Sequence, residues 1–196
     1  MKIPAKEATS EEYLINKSKF IGFVIPGDLK TLFLDRIHEL QQDHHSANHI
    51  AFAYRIKTAN GIDDYFNDAG EPSGTAGRPL LNILQNQNLI NTCLAVVRYY
   101  GGVNLGTGGL ARAYAKAAIM AIDQSDFKEF IKLNYYKIIL EYNILDNLTN
   151  KLLKENFEII ERNFEEKVEL IVKMSDEVLK KICHEFPSII VSSIDQ

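Results

Sequence analysis

Eight of the eleven glycines of this 196-residue chain fall in two short stretches, DAGEPSGTAGRPLL (68–81) and RYYGGVNLGTGGLARAYAKAA (98–118). Glycine weakens the interior of a helix or strand. In a turn it lets the backbone take positive φ or approach another segment closely. Two such clusters therefore have to be ordered loops, and each hands over at once to an apolar run. The fold must be built from short elements arranged around them.

An apolar content of 46% over this length supplies the core of one medium domain or two small ones. A net charge of −4 gives no global attraction to nucleic acid or to a membrane. The distribution differs from the total. Between Pro72 and Ile122 stand four bases, Arg78, Arg98, Arg112 and Lys116, and no acid. The two cysteines, Cys93 and Cys183, lie far apart in apolar surroundings, which predicts core thiols in a reducing compartment. No apolar run follows Met1–Lys2, and no stretch approaches the roughly 18 apolar residues of a membrane helix. We expect a cytoplasmic chain with no membrane partner.

The alternation in EEYLINKSKFIGFVIPGD predicts a hairpin turning near Asn16–Lys17 and stopped by Pro26–Gly27. Asp28 is expected to cap a helix whose buried stripe is Phe33, Ile37 and Leu40. HIAFAYRI (49–56) and DDYFN read as strands about an Asn60–Gly61 turn. Pro79 suits the first residue of a helix PLLNILQ. TCLAVVRYY (92–100) reads as a buried strand, and Gly108–Gly109 as the opening of a helix LARAYAKAAIMAI. The order is ββαββαβα. The remainder reads as a strand YYKIILEY, a helix ILDNLTNKLLKEN, two strands turning near Asn163, a helix capped by Ser175 and ended by Pro187, and a last strand SIIVSS. That is βαββαβ, the ferredoxin-like pattern. The predicted domains are 1–130 and 131–196, with net charges of −1 and −3.

The second glycine stretch joins a buried strand to a helix. Helix N-termini carry unpaired N–H groups and partial positive charge, and so attract anions. Gly101, Gly102, Gly106, Gly108 and Gly109 would let the backbone reach such a ligand. Arg98, Arg112 and Lys116 would add charge, the last two sharing a helix face. GTGGLA formally fits the dinucleotide fingerprint, but no acid follows at the end of a second parallel strand. No Gly-Lys-Ser/Thr exists, so a P-loop is excluded. The same glycines equally suit a tight turn with close helix–strand packing. Tyr99 and Tyr100 flank Arg98 and could stack on bases, although strand alternation turns one of them inward.

In the first stretch, Asp68 and Glu71 are candidate acid–base groups with His49, or a pair that could bind a cation, and Ser73 or Thr75 a candidate nucleophile. Alternatively Asp68 and Ser73 bond backbone N–H groups in an ordered turn shaped by Gly70, Gly74, Thr75, Gly77 and Arg78. The segment is not a nucleophile elbow, because Glu71 takes the first glycine position. His45 and His49 are four residues apart, but the helix should end by Asp43, so no metal site is expected. His44 and His45 read as a solvated helix end. No cofactor is implied.

GEPSGTAGRPLL followed by VVRYYGGVNLGTGGLARAYAKA resembles the signature of the YigZ/IMPACT family, and ANHIAFAYRI resembles its Ala-x-His strand. The likeness runs from about Ser18 to Ile122. It implies an α+β first domain like the second domain of a small-subunit ribosomal protein and domain IV of elongation factor G. The C-terminal domain would be like domain V of that factor. By position, His49, Asp68, Gly70, Glu71, Gly74, Gly77, Arg98, Tyr99, Gly101, Gly102, Gly106, Gly108 and Gly109 match the family pattern. Ala69 departs from it, where a second aspartate is usual, and leaves Asp68 and Glu71 to serve. Eukaryotic relatives are translation regulators, and for the bacterial branch the resemblance implies a nucleic-acid or ribosome role.

Three functions fit. The first is a non-catalytic, translation-associated regulator binding RNA or the ribosome through the basic, glycine-rich face. The second is an enzyme acting on a small phosphorylated or carboxylated substrate at the same loops. The third is a protein-binding module with purely architectural glycines.

Overall fold

The computed structural model describes residues 1–153, 155 and 157–194. The chain divides into two compact units, Met1–Phe130 and Ile131–Gln196, each mixed α+β. Among the described residues no helix is long and apolar enough to cross a membrane.

In the first unit the elements are β1 (Lys2–Pro4), β2 (Ala8–Thr9), β3 (Tyr13–Ile15), β4 (Ser18–Pro26), α1 (Lys30–Asp43), β5 (His49–Thr58), β6 (Gly61–Asn67), α2 (Gly77–Asn86), β7 (Thr92–Tyr99), α3 (Gly106–Asp123) and β8 (Phe127–Glu129). Strands β2-β4-β7-β5-β6 form an antiparallel sheet in that order, with β3 also paired to β4. The turn between β3 and β4 puts Asn16 and Lys17 at φ 45° and 64°, the double left-handed conformation of a two-residue hairpin. Strands β1 and β8 pair separately, Lys2 opposite Glu129. Three residues apiece carry no alternation, and the sequence does not announce them.

Both faces of the sheet are covered, which is why β4, β5 and β7 are nearly continuous in apolar residues. On one face Phe20, Val24, Ala51, Ala53, Leu94 and Val96 meet Leu80, Leu81 and Leu84 of α2 and the alanine-rich side of α3. On the other, Phe23, Ile25, Ile50, Phe52, Ala95 and Val97 meet Phe33, Ile37 and Leu40 of α1. Helix α3 lies unusually close: a Cβ on Gly22 of β4 would stand 2.2 Å from the Ala117 carbonyl oxygen.

The second unit comprises β9 (Asn134–Leu140), α4 (Tyr142–Leu152), β10 (Phe157–Phe164), β11 (Val168–Met174), α5 (Asp176–Glu185) and β12 (Ile190–Ile194), with antiparallel sheet order β10-β11-β9-β12. Tyr136, Ile138, Leu140, Val168, Leu170, Val172 and Met174 pack on Leu148, Leu152, Val178 and Ile182. Ser175 caps α5, its Oγ accepting from the Val178 N–H. Tyr136 donates from its hydroxyl to Asp176 at the start of that helix. This bond, with one from Asn134, holds the Asp176 carboxyl below its ordinary pKa.

Several boundaries differ from expectation. Helix α1 is preceded by Leu29 with no side-chain cap, not by Asp28. Pro79 is the third residue of α2, and α3 opens at Gly106, two residues before Gly108. The β10–β11 turn falls at 165–167, because Asn163 is still paired with Glu169. Cys93 is buried, whereas Cys183 is exposed, on the outer side of α5. Of the expected helix end in the second unit, Lys154 and Asn156 lie outside the described residues.

Gly22→Ala forces a methyl into the α3 backbone, an overpacking expected to destabilise the first unit by about 1–3 kcal/mol. Urea unfolding would record this as a lower midpoint with an unchanged slope, and an unchanged midpoint would contradict this seating of α3.

Candidate functional site

The antiparallel register sets His49 of β5 and Phe20 of β4 opposite Arg98 of β7. Alternation turns all three toward the α2/α3 face. Arg98 Nη1 donates to Glu71 Oε1 at 2.6 Å, and the Tyr114 hydroxyl of α3 donates to the same oxygen at 2.7 Å. The two charged side chains are 6% and 4% exposed. A short charge-assisted bond of this kind is strong, and here it compensates the burial of both charges although Arg98 Nε finds no acceptor among the described residues. The guanidinium carbon also lies 5.4 Å from the Phe20 ring centre and 5.1 Å from that of Tyr100, close enough for cation–π attraction. Burial, then the Glu71 charge and the hydrogen bond to it, push the Tyr114 phenol far up, so it stays a donor.

His49 Nδ1 is 2.8 Å from the Ala69 carbonyl oxygen. A carbonyl only accepts, so Nδ1 carries the proton. In the neutral ring Nε2 is then an acceptor, 3.9 Å from Glu71 Oε1 and partly open to solvent.

Loop 68–76 is held by Asp68. Its Oδ1 accepts from the Ala76 and Gly77 N–H groups at 3.0 and 2.8 Å, and its Oδ2 from Gly74 at 2.8 Å. Asp68 thus starts α2, where the preceding Ala76 provides no side-chain cap. Of the two side chains expected to bond backbone N–H groups, Asp68 does so and, among the described residues, the exposed Ser73 does not, while the Thr75 hydroxyl donates to the Pro72 carbonyl. Ala69 sits at φ 51° and Gly70 at 84°. Ala69 therefore holds a left-handed conformation in which aspartate is better tolerated. Gly77 is required sterically, since a Cβ would stand 2.6 Å from the Asn67 carbonyl oxygen.

The second loop is pinned by Gly101, where a Cβ would meet the Lys17 backbone at 2.1 Å. Tyr100 donates its N–H to Asn48 Oδ1 at 2.8 Å and its hydroxyl to Asn104 Oδ1 at 3.1 Å. Gly102 and Gly106 take φ 80° and 66°. Between the loops opens a cavity of about 470 Å³, bordered by His49, Glu71, Arg98, Tyr100, Asn104 and the start of α3.

The structure brings His49, Glu71, Arg98 and Gly106 together and separates others. Asp68 is engaged with the backbone and does not border this cavity. Tyr99 faces the α1 side, its hydroxyl 2.7 Å from His44 Nδ1, so Tyr100 is the available ring. His44 is accordingly half-buried rather than a solvated helix end, and burial lowers its pKa. Arg98 is not an exposed anion contact, because Glu71 neutralises it. Arg112 and Lys116 are exposed on α3, Gly108 and Gly109 lie within its first turn, and Arg78 is exposed over the Phe66 ring. Tyr114, Asn48 and Asn104 belong to the site without having been expected there. Tyr114 sits in an apolar helix face and reads as core. Among the described residues no three His, Cys, Asp or Glu side chains gather into a metal site.

Residues 16–122, the segment that builds both loops and the buried pair, match the Impact N-terminal domain family. The chain is 35% identical to the IMPACT family member YvyE of Bacillus subtilis, over 84% of this chain and 75% of that protein. It is 33% identical to the IMPACT family member YigZ of Escherichia coli, over 83% and 80%. A crystal structure of a hypothetical protein overlays 100% of this chain and 97% of its own with TM-score 0.75 at 28% identity. By the match over its loop-bearing unit and by these relatives, this chain belongs to the IMPACT family.

Proposed function

We propose that this chain is a non-catalytic, translation-associated regulator that binds RNA or the ribosome through the first unit. The observation that carries this reading is the charge on α2 and α3. Between Pro72 and Ile122 there is no acid, and Arg78, Arg112 and Lys116 are exposed there. Arg98 contributes by holding the loops in place, its own charge being spent on Glu71. Phosphate binding by a few exposed bases gives a weak, salt-sensitive attraction. Shape complementarity from the glycine-rich loops would have to supply the remainder.

Family membership supports the same direction, since the eukaryotic relatives are translation regulators. We read residues 1–130 as the IMPACT-like domain, similar to elongation factor G domain IV. Residues 131–196 are read as a ferredoxin-like domain similar to its domain V. A chain of this kind would act in the cytoplasm, against the ribosome rather than a membrane.

Co-sedimentation with purified ribosomes tests the reading. Wild type is expected to pellet at low salt and to release as salt rises. Arg112→Ala with Lys116→Ala should weaken pelleting and flatten the salt dependence by about 0.7–0.9 in log–log slope for each phosphate no longer neutralised. Failure of wild type to pellet at low salt, or full pelleting of the double variant, would overturn it. Stability should divide oppositely. Glu71→Gln leaves Arg98 buried without a counter-charge and is expected to cost about 3–5 kcal/mol in urea unfolding. The double α3 variant should stay within about 0.5 kcal/mol of wild type.

A further inference from the structure

We propose that the cavity between the two glycine-rich loops binds a terminal phosphate monoester. The phosphate would lie at the start of α3, and a hydroxyl or amino group beside it would face His49 Nε2. This goes beyond the RNA or ribosome reading and stands without it.

Four observations converge. First, α3 opens with no side-chain cap and no acid in its first turn. A cation is there instead: Arg112 Nη1 lies 3.4 Å from where a Cβ on Gly108 would stand. Among the described residues no carboxylate pairs with Arg112 at 4 Å or less. A cation beside the positive end of a helix is unfavourable until an anion joins it. Second, Arg98 borders the same cavity, is 5% exposed, and keeps its Nε buried without an acceptor. With Glu71 balanced by Arg98, the local excess at the cavity is the partial positive charge of the α3 end, with Arg112 outside the cavity wall adding to the field there. Third, the amides on the cavity wall are oriented as donors. Asn48 Oδ1 accepts the Tyr100 N–H, and Asn104 Oδ1 accepts the Tyr100 hydroxyl, so both Nδ2 groups remain to donate. Fourth, the Ala69 carbonyl accepts the hydrogen bond of the His49 Nδ1 proton, so that in the neutral ring Nε2 is the acceptor on the opposite side.

A wall that offers several donors and one acceptor suits a ligand that is anionic and bears a proton beside the anion. A monoester carries nearly two negative charges and three terminal oxygens at neutral pH, enough to satisfy the helix amides and an asparagine together. An internal phosphodiester has fewer terminal oxygens and half the charge. The volume is that of a small-ligand pocket. It admits a nucleotide-sized group, which could come from a free nucleotide or from the end of an RNA.

Calorimetric titration with adenosine 5′-monophosphate, inorganic phosphate and adenosine tests the proposal. The monophosphate is expected to bind with Kd of about 1 mM or tighter, phosphate more weakly, and adenosine not at all. Thr107→Glu places a carboxylate where the phosphate would lie. It should abolish binding without lowering the melting temperature, because an acid in the first helical turn is stabilising. Asn104→Ala should weaken binding several-fold. Competition by a 5′-phosphorylated oligoribonucleotide but not by its 5′-hydroxyl form assigns the monoester to an RNA end. Binding of the free nucleotide alone assigns it to a small metabolite. The proposal fails if neither phosphate compound binds, if adenosine binds as well as its monophosphate, or if Thr107→Glu binds like wild type. A chain that fails to pellet with ribosomes yet binds the monophosphate keeps this site and loses the partner.

Discussion

Glu71 Oε1 receives two short hydrogen bonds, from Arg98 on β7 and from Tyr114 on α3, and in doing so ties a loop to the sheet and to the helix that covers it. A carboxylate and a guanidinium are buried together here because each neutralises the other's charge. The position of each partner therefore constrains the others. Glu71 must reach inward, which sets the turn through Ala69 and Gly70. Arg98 must end a buried strand on the α2/α3 face. Tyr114 must sit where α3 passes over that strand's end. His49, opposite Arg98 across the ladder, is then placed beside the pair by register alone.

The glycines serve this arrangement in two physical ways. Gly22, Gly77 and Gly101 stand where backbone meets backbone, and any side chain there would collide. Gly70, Gly74, Gly102 and Gly106 supply left-handed turns, the last three in open surroundings and Gly70 beside the His49 ring. The first group brings α3 onto β4, α2 onto the end of β6, and the second loop onto the β3–β4 turn. The second group turns the two loops back on themselves so that a cavity is left between them. Architecture and ligand access are thus two consequences of one pattern rather than competing explanations for it.

Much of the fold could be read from apolar period alone. The stripe Phe33, Ile37, Leu40 identified α1, and the apolar runs of β4, β5 and β7 marked strands, β7 as a buried one. The parity of β7 also separated Tyr99 from Tyr100. Helix starts were less legible. At α2 the cap is Asp68, eight residues before Ala76: its bonding to backbone N–H groups was legible, its reach to the start of the helix was not. At α3 a positive-φ Gly106 begins the helix inside what reads as loop. The buried pair was hardest, because Glu71 and Arg98 are 27 residues apart and each alone resembles a surface residue. Only the facing of Arg98, in step with Leu94 and Val96, hinted that it points into the core.

Helix α3 shows how one short stretch carries several tasks at once. Within six residues, Arg112 leans over the first turn, Tyr114 completes the buried pair, Lys116 stands in solvent, and the Ala117 carbonyl rests against Gly22. At 100° per residue these four positions fan around the helix rather than sharing a face. Arg112 and Lys116, four apart, point outward together, while Tyr114 and Ala117, three apart, point to the sheet. A change in how deeply α3 seats on Gly22 would therefore move the Tyr114 hydroxyl and the Arg112 guanidinium together. The electrostatics of the cavity and those of the outer surface are mechanically coupled through the close approach of helix to strand.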